Sequence, residues 1–341
     1  MLGATLNKRY ALEQLLAKGE SGSLYLATDT ATGEMLAARV FSSGVRLGDE
    51  NGLRFLRVMT LLAGVRHPNL LLPVETGSAA GLGPDELTYQ ITPYYPAPSL
   101  EQAMRELPFS LKEGVALLRQ AALGLDALHQ AGVVHGNLKP SNILVSREGD
   151  HLSAVVLDPA RGLLAAPLAG AGQLAHAVWM APEETGWGPR GCDDRSDLYR
   201  LGLLGYRVMT GRLPFAGNTP HQMAQHHLAT MPPSPREING VIPPRLAAIL
   251  LKLLAKNPVD RYQTARGLLA DLDLWDQPPE LPLATRDTPP RFPLAGPVTG
   301  REGAGEALLA ALERARSGQG GGLVVLSGES GQGKRSLFQS L

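Results

Sequence analysis

Hydrophobic and polar residues follow two different periods along the chain, and the change between them falls near residue 100. Before this point, apolar residues alternate with polar ones in short runs bounded by turn residues such as Thr32 and Gly33, as in half-buried strands. The strand candidates lie at 10–19, 22–29, 34–41, 70–77 and 86–95, with one helical segment at 50–64. The first hundred residues therefore predict a unit dominated by β-structure.

Beyond residue 100, apolar residues recur at steps of three and four, which is the period of a helix with one buried face. The clearest case is 110–131, whose apolar face consists of Leu111, Val115, Leu118, Ala122, Leu125 and Leu128. Further helical segments lie at 194–210, 244–256 and 262–274. The pattern therefore predicts an α+β domain over 8–275, with a strand-rich lobe at about 8–95 and a larger helical lobe at about 96–275.

Proline density marks a boundary after this domain. Residues 276–299 read DQPPELPLATRDTPPRFPLAGPVT, and this composition predicts an extended, semi-rigid linker. The segment 300–341 that follows predicts a helix, a strand, a glycine-rich turn and the start of another helix. We interpret 300–341 as the truncated start of a second domain.

Charge and cysteine content limit the classes of function. The chain contains 32 basic and 32 acidic side chains, so its overall charge does not predict binding to nucleic acid or to an anionic membrane. The single cysteine, Cys192, excludes an intrachain disulfide and a cysteine-based metal cluster. The N-terminus lacks a secretory pattern, and no apolar run approaches the roughly 20 residues that span a bilayer. We therefore expect a cytoplasmic protein.

Seven motifs occur in a fixed order along residues 8–275. They are Ala17-x-Gly19-x-x-Gly22-x-Leu24, LAARVF at 36–41, HGNLKPSN at 135–142, LDPARG at 157–162, WMAPEE at 179–184, RSDLYRLG at 195–202 and NPVDRYQTA at 257–265. In this order they resemble the motif series of bacterial serine/threonine protein kinases. The resemblance implies a two-lobed protein-kinase-like fold that binds ATP or ADP with Mg²⁺ between its lobes.

The resemblance also implies which residues form the nucleotide site. Glycines at 19 and 22 let the backbone approach phosphates closely, although Ala17 replaces the first glycine of the pattern. The expected nucleotide-binding residues are Leu16, Gly19, Gly22, Leu24, Ala37, Arg39, Thr92, Pro93, Tyr95 and Leu144. The apolar members of this set are equally consistent with ordinary core residues.

Three positions that support phosphate transfer in the family carry other residues here. Arg39 stands at the position of the phosphate-binding lysine, and Val58 at that of the glutamate that pairs with this lysine. Asn137 stands at the position of the catalytic aspartate, although Lys139 of the same loop is kept. An amide does not accept a proton as a carboxylate does, and general-base catalysis is typically worth about 10² to 10⁴-fold.

The segment after the catalytic loop departs from the family as well. Asp158 is followed by Pro159 and Ala160 instead of Phe and Gly, so the aromatic side chain and the glycine flexibility are both absent. His176 stands at the position of a threonine that braces the catalytic residues. No Ser, Thr or Tyr lies between 158 and 183, and Gly136 replaces the arginine that reads a phosphate there. Activation by phosphorylation of this segment is therefore not expected.

Other family positions are kept. Asn142 and Asp158 match the two magnesium ligands of the family. The remaining matches are expected to hold the shape of the helical lobe: the ion pair Glu183 with Arg261, together with Asp197, which fixes the backbone of the catalytic loop, and His135.

The motif GESGQGK at 328–334 follows the strand-like run LVVLS and fits a P-loop. Its characteristic residues are Gly328, Gly333 and Lys334, while Arg335 stands where Ser or Thr holds magnesium. The segment resembles the start of the signal-transduction ATPases that often follow kinase domains in bacterial regulators.

Three functions remain open from the sequence. The first is a catalytically impaired kinase domain, a pseudokinase, that regulates or senses a nucleotide and acts on a protein partner or on its own C-terminal ATPase domain. The second is an active serine/threonine kinase, favoured by Lys139, Asn142 and Asp158. The third is a scaffold that binds no nucleotide. A contact between Arg39 and Asp158 that fills the metal site would favour the scaffold, and an open, vacant cleft would count against it.

Overall fold

The computed structural model describes residues 1–19, 22–41, 46–79, 87–149, 151–160, 171–185 and 192–288, and the single positions 310, 314 and 317. Met1–Asp287 forms one compact unit, and Thr288–Leu341 belongs to a second. The P-loop residues predicted at 328–334 lie outside the described residues. The first unit contains both predicted lobes.

The strand-rich lobe is built on an antiparallel sheet with the strand order β1-β2-β3-β4-β7-β6. Its strands are β1 Thr5–Leu6, β2 Tyr10–Gly19, β3 Gly22–Asp29, β4 Met35–Phe41, β6 Glu75–Ala79 and β7 Leu87–Pro93. On β3 the buried positions are Tyr25, Ala27 and Asp29, as the period of two requires. Arg39 of β4 pairs with Leu24 of β3 and Gln90 of β7, so it projects from the middle of the sheet.

The strand predicted at 70–77 is two short strands that belong to different sheets. β5, Leu70–Leu71, pairs in parallel with β9, His151–Leu157, which also pairs with β8, Ile143–Glu148. β6 joins the large sheet instead. Pro73 lies between the two strands, and its missing N–H and fixed φ favour a break in the ladder at this point.

The helical lobe follows α1, Glu50–Leu62, of the first lobe. Its helices are α2 Leu100–Glu106, α3 Leu111–Gln130, α4 Ala171–Ala177, α5 Asp194–Thr210, α6 Pro220–Ala229, α7 Pro235–Ile238, α8 Pro244–Leu253 and α9 Ala265–Leu272. Short 3₁₀ turns lie at Pro140–Asn142, Pro182–Thr185 and Pro258–Asp260. Among these described helices, none has both the length and the apolar character needed to cross a bilayer.

The core of this lobe is centred on α3 and α5. α3 begins at a capping box formed by Ser110 and Glu113, and five of its six predicted apolar residues are buried, Leu111 being the exception. α5 is buried along nearly its whole length and ends at Gly211, whose φ of +77° suits a left-handed C-cap. An added Cβ on Gly205 of α5 would lie 2.9 Å from Leu118 of α3. A glycine is therefore needed where the two helices approach.

Residues 281–287, which we call the C-terminal strap, bind to the helical lobe. Arg245 donates to the carbonyl of Leu281 (2.6 Å), and Asp271 accepts from the backbone N–H of Ala284 (2.7 Å). The carboxylate of Asp287 accepts from the backbone and the hydroxyl of Thr264 (3.0 and 2.7 Å) at the start of α9. The linker was predicted to start at residue 276, but residues 281–287 make these contacts and belong to the first compact unit. Composition indicates a preference for an extended backbone but does not reveal tertiary contacts.

We expect Asp287→Ala to release the C-terminal strap and to lower the free energy of unfolding by about 1–2 kcal/mol, because the start of α9 loses its acceptor. Asp276→Ala is the matched control, since Asp276 is an exposed aspartate that lies just before the strap. Tryptic cleavage after Arg286 should become faster in Asp287→Ala alone. Equal cleavage rates and equal stabilities in the two variants would contradict a structural role for the strap.

Candidate nucleotide-binding cleft

A cleft of about 830 Å³ lies between the large sheet and the helical lobe. All ten residues expected at the nucleotide site line it, as do Lys139, Asn142 and Asp158. Asn137, at the catalytic position, is nearly buried, with 8% of its surface exposed. The structure thus brings the expected nucleotide and metal positions together in one cavity.

One end of the cleft is an apolar slot. Leu16, Ala37 and Leu144 contribute its walls. Thr92 lies opposite Ala37 across β4 and β7, and its hydroxyl donates to the Ala37 carbonyl at 3.4 Å. The following residue, Pro93, has no N–H, but its carbonyl can still accept a bond from a ligand. A flat aromatic ligand with polar edges suits this end of the cleft.

The turn between β2 and β3 requires a glycine at its described end. Gly22 pairs with Gly19 and with Phe41 and has a φ of +135°. A Cβ at this position would lie 2.2 Å from the carbonyl oxygen of Val40. Only glycine accommodates both the conformation and this close approach to the neighbouring strand, and Gly22 also lines the cleft.

The phosphate end of the cleft contains an ion pair between the lobes. A terminal guanidinium nitrogen of Arg39 donates to Oδ2 of Asp158 at 3.0 Å, and the two side chains are 14% and 5% exposed. Arg39 comes from the centre of the sheet and Asp158 from the end of β9. The residue at the lysine position therefore binds the residue at the metal-ligand position.

Helix α1 contributes an apolar contact where the family pattern has an ionic one. Val58 is partly buried and packs against the cluster of Phe41, Phe55 and Ala160. This cluster connects β4, α1 and the segment after Asp158. Helix α1 is therefore held in place at this position by hydrophobic contacts.

The backbone after β9 adopts a conformation that glycine tolerates best. Asp158 has a φ of +58° and Ala160 a φ of +57°, and the left-handed region costs an L-residue roughly 1–2 kcal/mol. The N–H of Ala160 donates to the carbonyl of His135 at 2.9 Å. The replacement of glycine by Ala160 therefore leaves a strained backbone that is held by this bond and by the packing of its methyl group.

Asp197 of α5 fixes the backbone of the catalytic loop. Oδ2 of Asp197 accepts from the N–H of His135 (2.8 Å), and Oδ1 accepts from the N–H of Gly136 (2.9 Å). Nδ1 of His135 accepts from the N–H of Asn137, so Nε2 carries the proton that it donates to the carbonyl of Leu157 (2.9 Å). Burial lowers the pKa of His135, which agrees with a neutral ring. The loop keeps its shape without a carboxylate at Asn137.

His176 on α4 lines the cleft near Lys139. Burial, together with the charges of Arg200 and Lys139, lowers its pKa to about 4, so the imidazole is neutral at neutral pH. Among the described residues, no group of three His, Cys, Asp or Glu side chains is arranged to hold a metal ion.

Two ion pairs, the first of them buried on both sides, anchor the segment 181–184 to the helical lobe. Glu183 binds both terminal nitrogens of Arg261 (2.7 and 2.8 Å). Glu184 accepts from Nε and one terminal nitrogen of Arg200 of α5 (3.0 and 2.7 Å). Sequence reasoning identified the first pair by resemblance but missed the second. The available signal was a lone arginine inside the apolar run LYRLGLLGY, which requires a buried partner.

Magnesium is the metal that the resemblance implies, with Asp158 and Asn142 as its ligands. Oδ2 of Asp158 accepts from Arg39 instead. The amide nitrogen of Asn142 donates to the carbonyl of Asn137 at 2.8 Å, and this bond does not involve the side-chain oxygen, which is the atom that could bind a metal. Mg²⁺ demands a near-octahedral set of oxygen ligands, and the neighbouring guanidinium repels a divalent cation. The residues in this arrangement do not fit a magnesium ion.

Comparison with known proteins agrees with this architecture. The family model "Protein kinase domain" matches residues 10–271. The crystal structure of the PknI kinase domain from Mycobacterium tuberculosis, in a C20A_R136A double mutant, superposes with a TM-score of 0.65 at 22% identity, covering 81% of this chain and 98% of that one. Residues 10–271 therefore have the protein-kinase fold, with a β-sheet lobe and a helical lobe.

The related sequences are bacterial serine/threonine kinases. The serine/threonine-protein kinase PknB of Mycolicibacterium smegmatis is 31% identical over 88% of this chain and 48% of its own length. The DNA damage-responsive serine/threonine-protein kinase RqkA of Deinococcus radiodurans is 31% identical over 80% and 41%, respectively. The chain thus spans less than half the length of these relatives. On the matched family model and these identities, the chain belongs to the protein kinase family.

Proposed function

We propose that this protein kinase domain is catalytically impaired and acts as a nucleotide-sensing regulatory module, a pseudokinase. The observation that carries the proposal is the 3.0 Å ion pair between Arg39 and Asp158. It joins the positions that in the family bind phosphate and metal, and it does so beside a catalytic loop with an amide, Asn137, in place of the general base. Both requirements of phosphate transfer, proton removal and charge stabilisation, are weakened at once.

The family residues that this chain keeps outside the cleft stabilise the structure of the helical lobe. Asp197 fixes the backbone of the catalytic loop, and Glu183 with Arg261 holds the loop at 181–184. Neither feature moves a proton or contacts the phosphate end of the cleft. These contacts support a domain whose two lobes can signal the state of the cleft to a partner. The proposed partner is another protein or the P-loop segment predicted at 300–341.

Two rival functions are supported by specific observations. An active serine/threonine kinase is favoured because Lys139, Asn142 and Asp158 all line the cleft and because the relatives carry that name. A scaffold that binds no nucleotide is favoured by the contact between Arg39 and Asp158, which is the arrangement expected of it. The cleft of about 830 Å³ beside this contact counts against the scaffold.

A phosphate-transfer assay tests the proposal. We expect the chain to transfer no more labelled phosphate from ATP, to itself or to a general protein substrate, than its Asp158→Ala variant does. An active serine/threonine kinase is the positive control, and circular dichroism checks that the variant is folded. Transfer that clearly exceeds the level of Asp158→Ala would overturn the impaired-kinase function and establish the active-kinase rival.

A further inference from the structure

The phosphate end of the cleft carries its own positive charge. We propose that the cleft binds a nucleoside di- or triphosphate without a divalent cation, with the guanidinium of Arg39 in place of the metal. This inference rests on the proposed function and deepens it, because it specifies how the regulatory site recognises its ligand. The apolar slot at Leu16, Ala37 and Leu144 suits the flat base of such a ligand.

Arg39 is placed by the sheet and not by a flexible loop. Its strand is paired on both sides, with Leu24 and with Gln90, and its side chain reaches the cleft wall with only 14% exposure. A guanidinium has five N–H donors in a planar fork and can bind a carboxylate and a phosphate oxygen at the same time. The bond to Asp158 therefore orients a cation that also faces the cleft.

The bond between Arg39 and Asp158 also disfavours the binding of a metal ion. A divalent ion on Asp158 would have to displace the guanidinium from Oδ2 or lie close to its charge. The amide nitrogen of Asn142, the other expected ligand, donates to the Asn137 carbonyl, so this bond does not occupy the side-chain oxygen, and it is Arg39 that disfavours a metal here. Among the described residues, no further acidic or histidine cluster completes an ion site. A cation already held by the protein thus occupies the place where the family pattern puts magnesium.

The charges that line the cleft agree with a polyphosphate ligand. Among the described residues, Lys18, Arg39 and Lys139 are cations that line the cleft, and Asp158 is a carboxylate that lines it. The remaining lining charges, Arg105 and Glu101 on α2, compensate each other at 3.5 Å. Arg39 and Lys139 thus place cationic groups on the wall of the cleft, and such groups attract the phosphates of a nucleotide.

The test is calorimetric titration of the whole chain with ADP, ATP and AMP, once in excess EDTA and once in magnesium. We expect ADP and ATP to bind in EDTA with a Kd within about threefold of that in magnesium, and AMP to bind about tenfold more weakly than ADP. Binding that appears only with magnesium, or no binding under either condition, would overturn the inference. So would equal affinity for AMP and ADP, because the terminal phosphate would then make no contact with Arg39.

Two substitutions in the ion pair have opposite expected effects. Arg39→Gln should weaken ADP binding in EDTA by about tenfold or more, because it removes the phosphate-binding cation. Asp158→Asn should leave this affinity equal or higher, because the asparagine oxygen can still accept from Arg39 and orient it while a negative charge is removed from the site. In a magnesium-dependent site, Asp158→Asn would weaken ADP binding measured in magnesium, and that result would overturn the inference. Unfolding temperatures without ligand check that both variants are folded.

The failure of this inference differs from the failure of the proposed function. Asp158-dependent phosphate transfer would overturn the impaired-kinase function whatever the binding data show. Magnesium-dependent binding without transfer would overturn only the metal-free mode.

Discussion

Replacing Glu183 with glutamine is expected to lower the free energy of unfolding of the helical lobe by about 3–5 kcal/mol, because it leaves the buried guanidinium of Arg261 without its counter-charge. The side chains are 2% and 0% exposed and are joined by two bonds of 2.7 and 2.8 Å. Burial by itself would raise the pKa of Glu183, but the hydrogen bonds and charge of Arg261 outweigh it and lower the pKa. Denaturant unfolding measures the loss.

The chain provides a matched control for this substitution. Glu50 and Arg54 on α1 form an ion pair of similar length, 2.6 Å, but their side chains are 80% and 61% exposed. Glu50→Gln should therefore change the free energy of unfolding by less than about 0.5 kcal/mol. If both substitutions had the same small effect, burial would not be what gives the Glu183–Arg261 pair its importance.

Substituting Arg261 tests this ion pair less directly than substituting Glu183. Arg261 also donates to the carbonyls of Ala255, Lys256 and Arg195, at 2.7, 3.0 and 3.0 Å. Arg261→Met therefore orphans three backbone acceptors besides the carboxylate. A double-mutant cycle with Glu183→Gln separates the two contributions, since the coupling energy reports only the direct pair.

The sequence predicts the elements of this fold well wherever one residue period continues over many positions. The helix predicted at 110–131 is present as α3, Leu111–Gln130, because its apolar face and its Ser110 cap indicate the same helix. The helix predicted at 262–274 begins later, at Ala265. Thr264 accepts from Gly267 N–H as the N-cap, and the preceding Arg261 is held in extended backbone. Periodicity shows which face is buried but not which polar residue ends a helix.

The contacts that the sequence does not predict are those between distant segments. Resemblance identified Arg39 and Asp158 as site positions, but the sequence stated their contact only as a condition to be tested. The pair depends on the distance between the lobes, which no local pattern encodes. The Glu184–Arg200 pair and the Asp287 contact to α9 were missed for the same reason: each joins segments that lie 16 or more residues apart.

Asp197→Asn is expected to destabilise the fold by about 3 kcal/mol and to loosen the catalytic loop. The fully buried carboxylate accepts from the N–H groups of His135 and Gly136 and lies 2.9 Å from Nε2 of His129. An asparagine has one acceptor oxygen, so at least one of these donors loses its partner, and hydrogen bonds to a charged group are worth about 1.5–3 kcal/mol each. Denaturant unfolding gives the loss, and hydrogen exchange at the loop amides shows where it occurs.

The pair between Asp197 and His129 also predicts a pH dependence. Burial opposes the charged ring of His129, but the hydrogen bond and charge of Asp197, with the charges of Asp194 and Asp126, outweigh it and raise the pKa above 6.5. A raised pKa contributes stability below pH 6.5 that is lost as the pH rises through the folded value. The pKa of Asp197 is lowered below 3.8, despite the opposing effect of burial, so its contribution is lost only as the pH falls through its own folded value.

This pair should therefore stabilise the fold most between about pH 4 and pH 6.5, with a decline on the alkaline side. Free energies of unfolding measured from pH 5 to pH 9 test the decline, with His129→Gln and Asp197→Asn as the paired variants. Both should flatten the alkaline slope, since either substitution removes the charge that raises the pKa of the ring or the ring itself. A wild-type slope that persisted in His129→Gln would assign the titration to another group. Asp197 also accepts from the backbone N–H groups of His135 and Gly136. If the slope persisted, this hold on the catalytic loop would be independent of the protonation of His129.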